Sequence, residues 1–363
     1  MKNKNLKKIF YKKKVLITGH TGFKGSWLSI LLSHFGANIL GISNNIITRP
    51  SHYKFIKRKI SLKSKSVDIS KYNLFKKTVN NFKPDFIFHL AAQSLVKRSY
   101  NNPILTWKTN TMGTINLLEI LKKYKRKVTV VIITSDKVYR NLEKKPGYKE
   151  NDLLGGDDPY SGSKAGAELA IRSYWKSFLS KKKNLSLSIA RAGNVIGGGD
   201  WPDDRLIPDC VKAWAINKKV ILRNPNSTRP WQHVLEAVMG YIILAINLKI
   251  NKKKNNGLAF NFGPSNKKNY KVIDCVKTFE KYWPKIKWHI SRNKNFKESS
   301  LLKLNSSKAL KFLKWKGVLN FEQTIKLTAI WYRDFYKKRG KIDSFDQVKK
   351  YIEIFNKKSK IKI

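Results

Sequence analysis

Short apolar runs and stretches with helical apolar spacing alternate along the first half of this chain. Val15-Leu16-Ile17-Thr18 reads as a buried strand running into a Gly-rich turn, and Lys24 to Phe35 repeats apolar residues at helical spacing. Ala37 to Ser43 predicts a second strand. Ser66 to Ile69 predicts a third, followed by a helix to about Phe82 that Pro84 ends. Asp85 to Leu90 predicts a fourth strand, and Leu105 to Tyr124 a long helix. Val128 to Thr134 is a continuous β-branched run, the pattern of a strand buried on both faces. Tyr160 to Phe178 is again helical in spacing, and Leu185 to Ala190 a further strand.

Strand–helix alternation of this length is the signature of an α/β fold: a doubly wound parallel sheet with helices on both faces. After Gly193 the regularity weakens and Gly, Pro and Trp become frequent, as in Gly197-Gly198-Gly199-Asp200-Trp201-Pro202. The expected organisation is a basic tail over 1–13, a dinucleotide-binding domain over 14–192, a smaller, mainly substrate-binding domain over 193–340, and a basic tail over 341–363. Segments near 229–262 are expected to return to the first domain.

Composition narrows the class. A hydrophobic content of 41% over 363 residues supplies a substantial core. Cys210 and Cys275 are the only cysteines and form no C-x-x-C pair, which fits a reducing cytosol; the six histidines show no metal-ligand spacing, so no metal is expected. The N-terminal apolar run stops at Thr18-Gly19, too short for a signal segment, and Val238 to Leu248 falls short of the ~20 residues a membrane helix needs. A cytoplasmic protein is therefore expected.

The formal net charge of +53 is the outlying value. Its lysines collect in expected loops and ends, with no Arg-Gly repeat, zinc-finger pattern or RNP-like motif, so neither nucleic acid nor membrane is an expected partner. Asn and Ile are abundant as well, as a coding bias toward A+T-rich codons would produce; an unbiased base composition in the source genome would exclude that explanation. The field still draws anionic substrates.

Three motifs carry chemistry. Gly19-His20-Thr21-Gly22-Phe23-Lys24-Gly25 lies between a predicted strand and a predicted helix, the context in which glycines admit a pyrophosphate to a helix N-terminus. His20 and Lys24 are candidate further donors. The acid usual after the second strand is replaced by Ser43-Asn44-Asn45, and Arg49 is nearby, so this segment leaves NAD and NADP both open. Asp68-Ile69, at the expected end of the third strand, is placed to cover the adenine. Tyr160 and Lys164 stand one helical turn apart, so the ammonium would lower the phenol pKa and make Tyr160 a base toward a substrate hydroxyl during hydride transfer. Ser135, at the carboxyl edge of the sheet, would orient that hydroxyl. Asp136 and Lys137 follow directly, and an acid and a base beside a redox site can expel water from the oxidised substrate. Asn110 is mid-helix, where a local backbone role is expected.

From about Lys14 to Tyr336 the chain resembles the extended short-chain dehydrogenase/reductase superfamily, in its nucleotide-sugar epimerase/dehydratase family. Thr18 to Leu28, His89-Leu-Ala-Ala-Gln-Ser94, Thr134-Ser-Asp-Lys-Val-Tyr139 and Gly155 to Lys164 carry the likeness, with Ala190 to Trp201, Asp204 to Pro208 and Thr228 to Val234 specific to the dehydratase branch. The resemblance implies a Rossmann-type sheet, NAD as cofactor and a homo-oligomer, dimer or tetramer. It implies an internal redox cycle: oxidation at C4, elimination across C5 and C6 with Asp136 protonating the departing hydroxyl, then hydride return to C6. Related dehydratases carry Glu where this chain has Lys137, which points to CDP-glucose as substrate and leaves the C5 base open between Lys137 and another group. The product would feed deoxysugar synthesis for a surface polysaccharide such as a lipopolysaccharide O-antigen. Phe23, Leu90, Ala91 and Ala92 join the implied cofactor set, and Gln93, Asn194, Arg205, Arg229 and His233 the implied substrate contacts. Arg191 is either structural or functional; Trp201 and Trp231 either stack on the base or fill core. The rivals are an epimerase or reductase on the same fold, which needs no Asp-Lys pair, and a basic nucleic-acid-binding protein.

Overall fold

Seven parallel strands make the central sheet of the computed structural model, which describes residues 7–222, 224–264, 270–284, 286–290, 303–338 and 340–362. They are β1 (Lys14–Thr18), β2 (Asn38–Ser43), β3 (Leu62–Ser66), β4 (Phe86–His89), β5 (Val128–Ile133), β6 (Leu185–Ala192) and β7 (Ala259–Phe262). Their order is β7-β6-β5-β4-β1-β2-β3, every neighbour parallel. The order reverses between β1 and β4, and ligands of such sheets bind at the carboxyl ends of the strands beside that reversal.

Strand residues alternate between two cores. Val15, Ile17, Phe86, Phe88, Val131 and Ile133 face one cluster; Leu16, Ile87, Val130 and Ile132 face the other. The helices Phe23–His34 and Val234–Ile250 contribute to the first, and Tyr72–Phe82, Gly113–Lys123 and Pro159–Tyr174 to the second. The expected doubly wound α/β fold is what forms. Beyond β6 a smaller, mostly helical region follows, with the helices Leu206–Ala215, Val272–Tyr282 and Phe321–Lys337 and three two-stranded pairings. No helix of the described residues is long and apolar enough to cross a membrane.

The long helix expected over Leu105 to Tyr124 runs as Pro103–Trp107, a π turn Lys108–Met112, and Gly113–Lys123. Asn110 sits in the π turn, where an extra residue loosens the helical ladder and frees side-chain room. Its amide accepts from Gln93 N at 2.8 Å and donates to Gln93 O at 3.0 Å and Ser163 Oγ at 2.9 Å.

Three sequence expectations need correction. The third strand is Leu62–Ser66, so Asp68-Ile69 lies beyond it in the following loop; an edge strand reading Leu-Lys-Ser-Lys-Ser has exposed side chains and no apolar run to mark it. The C-terminal stretch is no tail but holds the helix Ser344–Lys358, with Val348, Tyr351 and Phe355 buried at helical spacing while the lysines occupy its other positions. At the N-terminus, Lys7–Phe10 is a helical turn whose Phe10 packs 4.7 Å from the Phe86 ring; residues 1–6 lie outside the described residues, as does Ile363. His52 ties the C-terminal helix down, hydrogen-bonding Ser344 Oγ at 2.8 Å and Ser26 Oγ at 2.7 Å.

Phe355→Ala is therefore expected to cost about 3–5 kcal/mol in chemical denaturation, the range for emptying a buried aromatic site. An unchanged midpoint would mean that the segment is a tail after all.

Candidate active site

β1 ends in the glycine turn, and the conformation there depends on missing side chains. Gly19 has φ +77°, and a Cβ on it would stand 2.8 Å from Ala91 N; one on Gly25 would stand 2.1 Å from Gly19 O. The turn is thus pressed between the start of its own helix and the Leu90–Ala91 segment after β4, where Ala91 N donates to Thr18 Oγ1 at 3.0 Å. Gly22 is exposed, and a Cβ there would meet only Gly19 O at 3.4 Å. No side chain caps the helix that starts at Phe23, so its first amides present partial positive charge. A crest open at Gly22 above uncapped amides fits a dinucleotide pyrophosphate, which Gly19, Gly22, Phe23 and Gly25 would hold, with Leu90, Ala91 and Ala92 along the neighbouring strand end. Asn44, after β2, donates to Asp68 Oδ2 at 3.5 Å. The contact brings a carboxylate from the next loop to the end of β2. Ile69 is buried against Gly113 and accepts from Asn116 through its carbonyl.

His20 does not extend this cradle. Its ring is buried, with Nε2 2.8 Å from Ser64 Oγ and Nδ1 3.0 Å from Ser43 Oγ, and burial lowers its pKa to about 4. A neutral imidazole held by two serines is a brace between β2 and β3 and offers no charge to a phosphate. Lys24 turns toward Gly193 O, 3.5 Å away, into the fields of Asp136, Arg205 and Asp200; burial lowers its pKa to about 8.

β5 delivers the second group. Ser135 Oγ donates to Asp136 Oδ1 at 2.9 Å, accepts from Lys137 N at 3.2 Å, and lies close to Tyr160. Asp136 is 3% exposed, and burial raises its carboxyl pKa against the opposing pull of Lys137, Ser135 and Lys24. Lys137 is half-buried beside it. Tyr160 is set by its helix start: Asp158 caps, accepting from Tyr160 N and Ser161 N at 3.0 Å each, and Pro159 fills the first helical position. Burial raises the phenol pKa, while Ser135 and Arg205 oppose the rise. Lys164 was expected to supply that pull; one turn deeper, it instead donates to Ile133 O at 3.4 Å beneath the end of β5, its pKa lowered to about 8 chiefly by burial.

The implied substrate residues divide. Arg205 stays at the site, one nitrogen on both Asp200 oxygens at 3.0 and 2.9 Å. Asn194 is exposed next to Gly193, whose Cα packs on Asp136 Oδ2, with Pro230, the neighbour of Arg229, against the same glycine. Arg229 donates to Thr228 O at 2.9 Å. Gln93 and His233 depart from expectation. The Gln93 amide is engaged within its own loop, donating to Leu95 O and Thr106 Oγ1 at 3.0 Å each and accepting from Leu95 N at 2.7 Å. His233 is fully buried as the N-cap of Val234–Ile250, accepting from Leu235 N, with its pKa lowered to about 3 by burial. The two motifs that hold these residues mark packing as well as contact. Trp201 and Trp231 are buried in the core, their ring nitrogens on Tyr336 Oη and Tyr270 O.

Sequence reasoning missed Asp158, Glu168 and Tyr241. Asp158 was legible as the Asp-Pro start of a helix. Glu168 lies one turn past Lys164 on the same face, and Tyr241 is buried within the fields of Asp136 and Tyr160. Among the described residues no group of three or more His, Cys, Asp or Glu is gathered to hold a metal.

Comparison with known proteins places this geometry. The family model described as GDP-mannose 4,6 dehydratase matches residues 16–328. A CDP-glucose 4,6-dehydratase from Salmonella typhimurium is 41% identical over 326 residues, covering 88% of this chain and 90% of that protein. Among solved structures, the epimerase Mth375 from Methanothermobacter thermautotrophicus has a TM-score of 0.78 at 21% identity, covering 92% of this chain and 96% of the other. A dTDP-glucose 4,6-dehydratase from Bacillus anthracis in complex with NAD has a TM-score of 0.73 at 24% identity, covering 91% and 100%. At these identities the two structures establish the shared fold.

His20, His52, His89 and His233 are all buried with pKa values lowered to about 3 or 4. A depressed folded value means stability is fully present above the unfolded value near 6.5 and is lost as pH falls toward the folded value. Each ring should contribute about 1.4 kcal/mol of loss per pH unit below 6.5. Thermal unfolding from pH 7 to pH 5 should show this decline, and a midpoint that is flat or rises would contradict neutral buried rings.

Proposed function

The chain belongs to the GDP-mannose 4,6 dehydratase family, and we propose that it takes CDP-glucose and bound NAD and forms CDP-4-dehydro-6-deoxyglucose and water. It is an enzyme with 4,6-dehydratase-type chemistry on a nucleotide sugar. The observation carrying the reading is the buried Asp136 carboxyl, its pKa raised by burial, hydrogen-bonded by Ser135 close to Tyr160. An epimerase or reductase needs the tyrosine but no such acid. Support for the cytidine nucleotide comes from the Salmonella typhimurium relative, named for CDP-glucose, and from Lys137 in place of the Glu of related dehydratases.

The glycine turn and the Leu90–Ala92 segment would hold the dinucleotide, with Asn44 and Asp68 the candidates for its ribose end. NAD supplies a hydride acceptor at C4 and, once reduced, the donor at C6. Ser135 orients the 4-hydroxyl while Tyr160 takes its proton; burial holds the phenol pKa up in the empty site, with Ser135 and Arg205 opposing that rise. Lys164, under β5, keeps an ammonium close to that exchange. The new 4-ketone acidifies the C5 proton, and Lys137, beside Asp136, is the proposed base for it, a role that requires its amine to be neutral at that step. As the C6–O bond breaks, Asp136 gives its proton to the departing hydroxyl and water leaves; reprotonation of C5, with hydride return to C6, then closes the proton balance. Arg205 and Arg229 are placed for the diphosphate, where a guanidinium donates two bonds at once.

The chain acts as a homo-oligomer through its two long helices. Ile104 is 81% exposed and Trp107 and Met112 nearly half, and Trp107 lies over Gly162 and Gly166 of the neighbouring helix. Leu169 extends the apolar surface along that helix. A second copy presenting the same two helices would bury it. Ile104→Asp should shift the mass measured by light scattering to that of a 42.1 kDa monomer, and a monomeric parent would exclude the assembly.

The functional test is incubation with CDP-glucose, dTDP-glucose and GDP-mannose in parallel, without added reductant. CDP-glucose should lose one water to give a 4-keto-6-deoxy sugar. Asp136→Asn should reduce water loss by about 10²–10⁴ while leaving C4 oxidation in place. Simple C4 inversion, or a need for stoichiometric NADPH, would overturn the dehydratase reading.

A further inference from the structure

Residues on both sides of the catalytic loop Ser135–Val138 hang on one buried ion pair that is not part of the site. Glu168 Oε1 accepts from Thr134 Oγ1 at 2.5 Å and from Arg191 Nε at 2.9 Å; Oε2 accepts from Arg191 Nε at 3.0 Å and pairs with Arg191 Nη2. From its other end Arg191 Nη1 donates to Tyr139 Oη at 2.7 Å and to Glu150 O at 3.0 Å. Tyr139 Oη donates in turn to Asn261 Oδ1 at 2.8 Å, and its ring stacks on Tyr148 at 4.9 Å. Thr134, Tyr139, Glu168 and Arg191 are all 5% exposed or less. Thr134 immediately precedes the loop and Tyr139 immediately follows it.

We propose that the Glu168–Arg191 pair, acting through Thr134 and Tyr139, is a positioning clamp that holds Asp136 where it can protonate the leaving hydroxyl; this rests on the dehydratase reading above. Tyr160, Lys164 and Glu168 recur every four residues on one helix, so they share a face. The helix that fixes the tyrosine therefore also fixes the clamp, and Asp136 is referenced to the same rigid body as Tyr160. Burying an ion pair is a poor way to add stability, because desolvation offsets the attraction and an apolar pair of equal volume serves as well. What a fully bonded carboxylate–guanidinium pair does supply is fixed direction at both ends. Oxidation at C4 and protonation of the C6 hydroxyl take place two carbons apart on one bound sugar, so the acid and the phenol need a set separation. The clamp supplies it without either of its charges touching substrate.

Thr134→Val and Tyr139→Phe each cut one arm while leaving the ion pair intact, so folding is retained; Thr134→Ser keeps the hydroxyl and serves as the conservative rescue. Two measurements decide. Deuterium exchange of the cofactor-free chain, read by mass spectrometry, should show faster exchange over 135–138 in the first two variants and parental exchange in Thr134→Ser. Single-turnover kinetics on CDP-glucose should show C4 oxidation and KM close to parental, water loss slowed about 10- to 100-fold, and the 4-keto hexose accumulating. Unchanged exchange over 135–138, or oxidation and elimination slowed equally, would overturn the clamp. Absence of turnover by the parent on CDP-glucose would instead count against the substrate reading, and the exchange data would still decide the clamp.

Discussion

A carboxyl group buried just past the end of β5, with its charge only partly compensated, is the constraint on which the rest of the site depends. Burial raises the Asp136 pKa, and Lys137, Ser135 and Lys24 restrain the rise without cancelling it. Leaving such a group in an apolar sheet end costs folding free energy, and the cost is tolerated where a raised carboxyl pKa has a use. The glycine turn, the capped start of the tyrosine helix and the Gly193 contact all converge on it. Gly193 packs so closely on Asp136 Oδ2 that a Cβ there would stand 2.9 Å away, which leaves the carboxyl little freedom to swing into solvent.

The same principle accounts for the division of the lysines. Lys24 and Lys164 lie inside the protein and have pKa values lowered to about 8, each ammonium disfavoured by burial. Many of the other basic residues lie exposed on the surface, where they raise the net charge to +53 without entering the chemistry. Net charge therefore describes how the protein meets solvent and anionic ligands, and the buried few describe what it does.

Much of the fold was legible because strands buried on both faces write continuous β-branched runs, as in Val128–Ile133, and because the glycine turn needs its glycines. The edge strand Leu62–Ser66 was not legible, since one unpaired side and exposed side chains remove the apolar signal. Nor was the C-terminal helix, where Val348, Tyr351 and Phe355 repeat at helical period under a coat of lysines that dominates the composition. In the site, motif position located Ser135, Asp136, Tyr160 and Lys164 but did not say which way a side chain faces. His20 and His233 are in motif and yet buried as a brace and a helix cap. The pull on Tyr160 comes from Ser135 and Arg205, whose separation along the chain no local spacing rule reports. Glu168 and Arg191 meet only once the sheet is assembled.

The most direct test of a single site that oxidises, dehydrates and reduces one sugar follows the hydrogen itself. CDP-glucose carrying deuterium at C4 should be converted by the purified protein in ordinary water and the product read by nuclear magnetic resonance. The mechanism predicts that the deuterium reappears at C6 of the same sugar, with solvent hydrogen at C5 and no exchange between labelled and unlabelled molecules. Deuterium lost to solvent, returned to C4, or scrambled between sugars would contradict it.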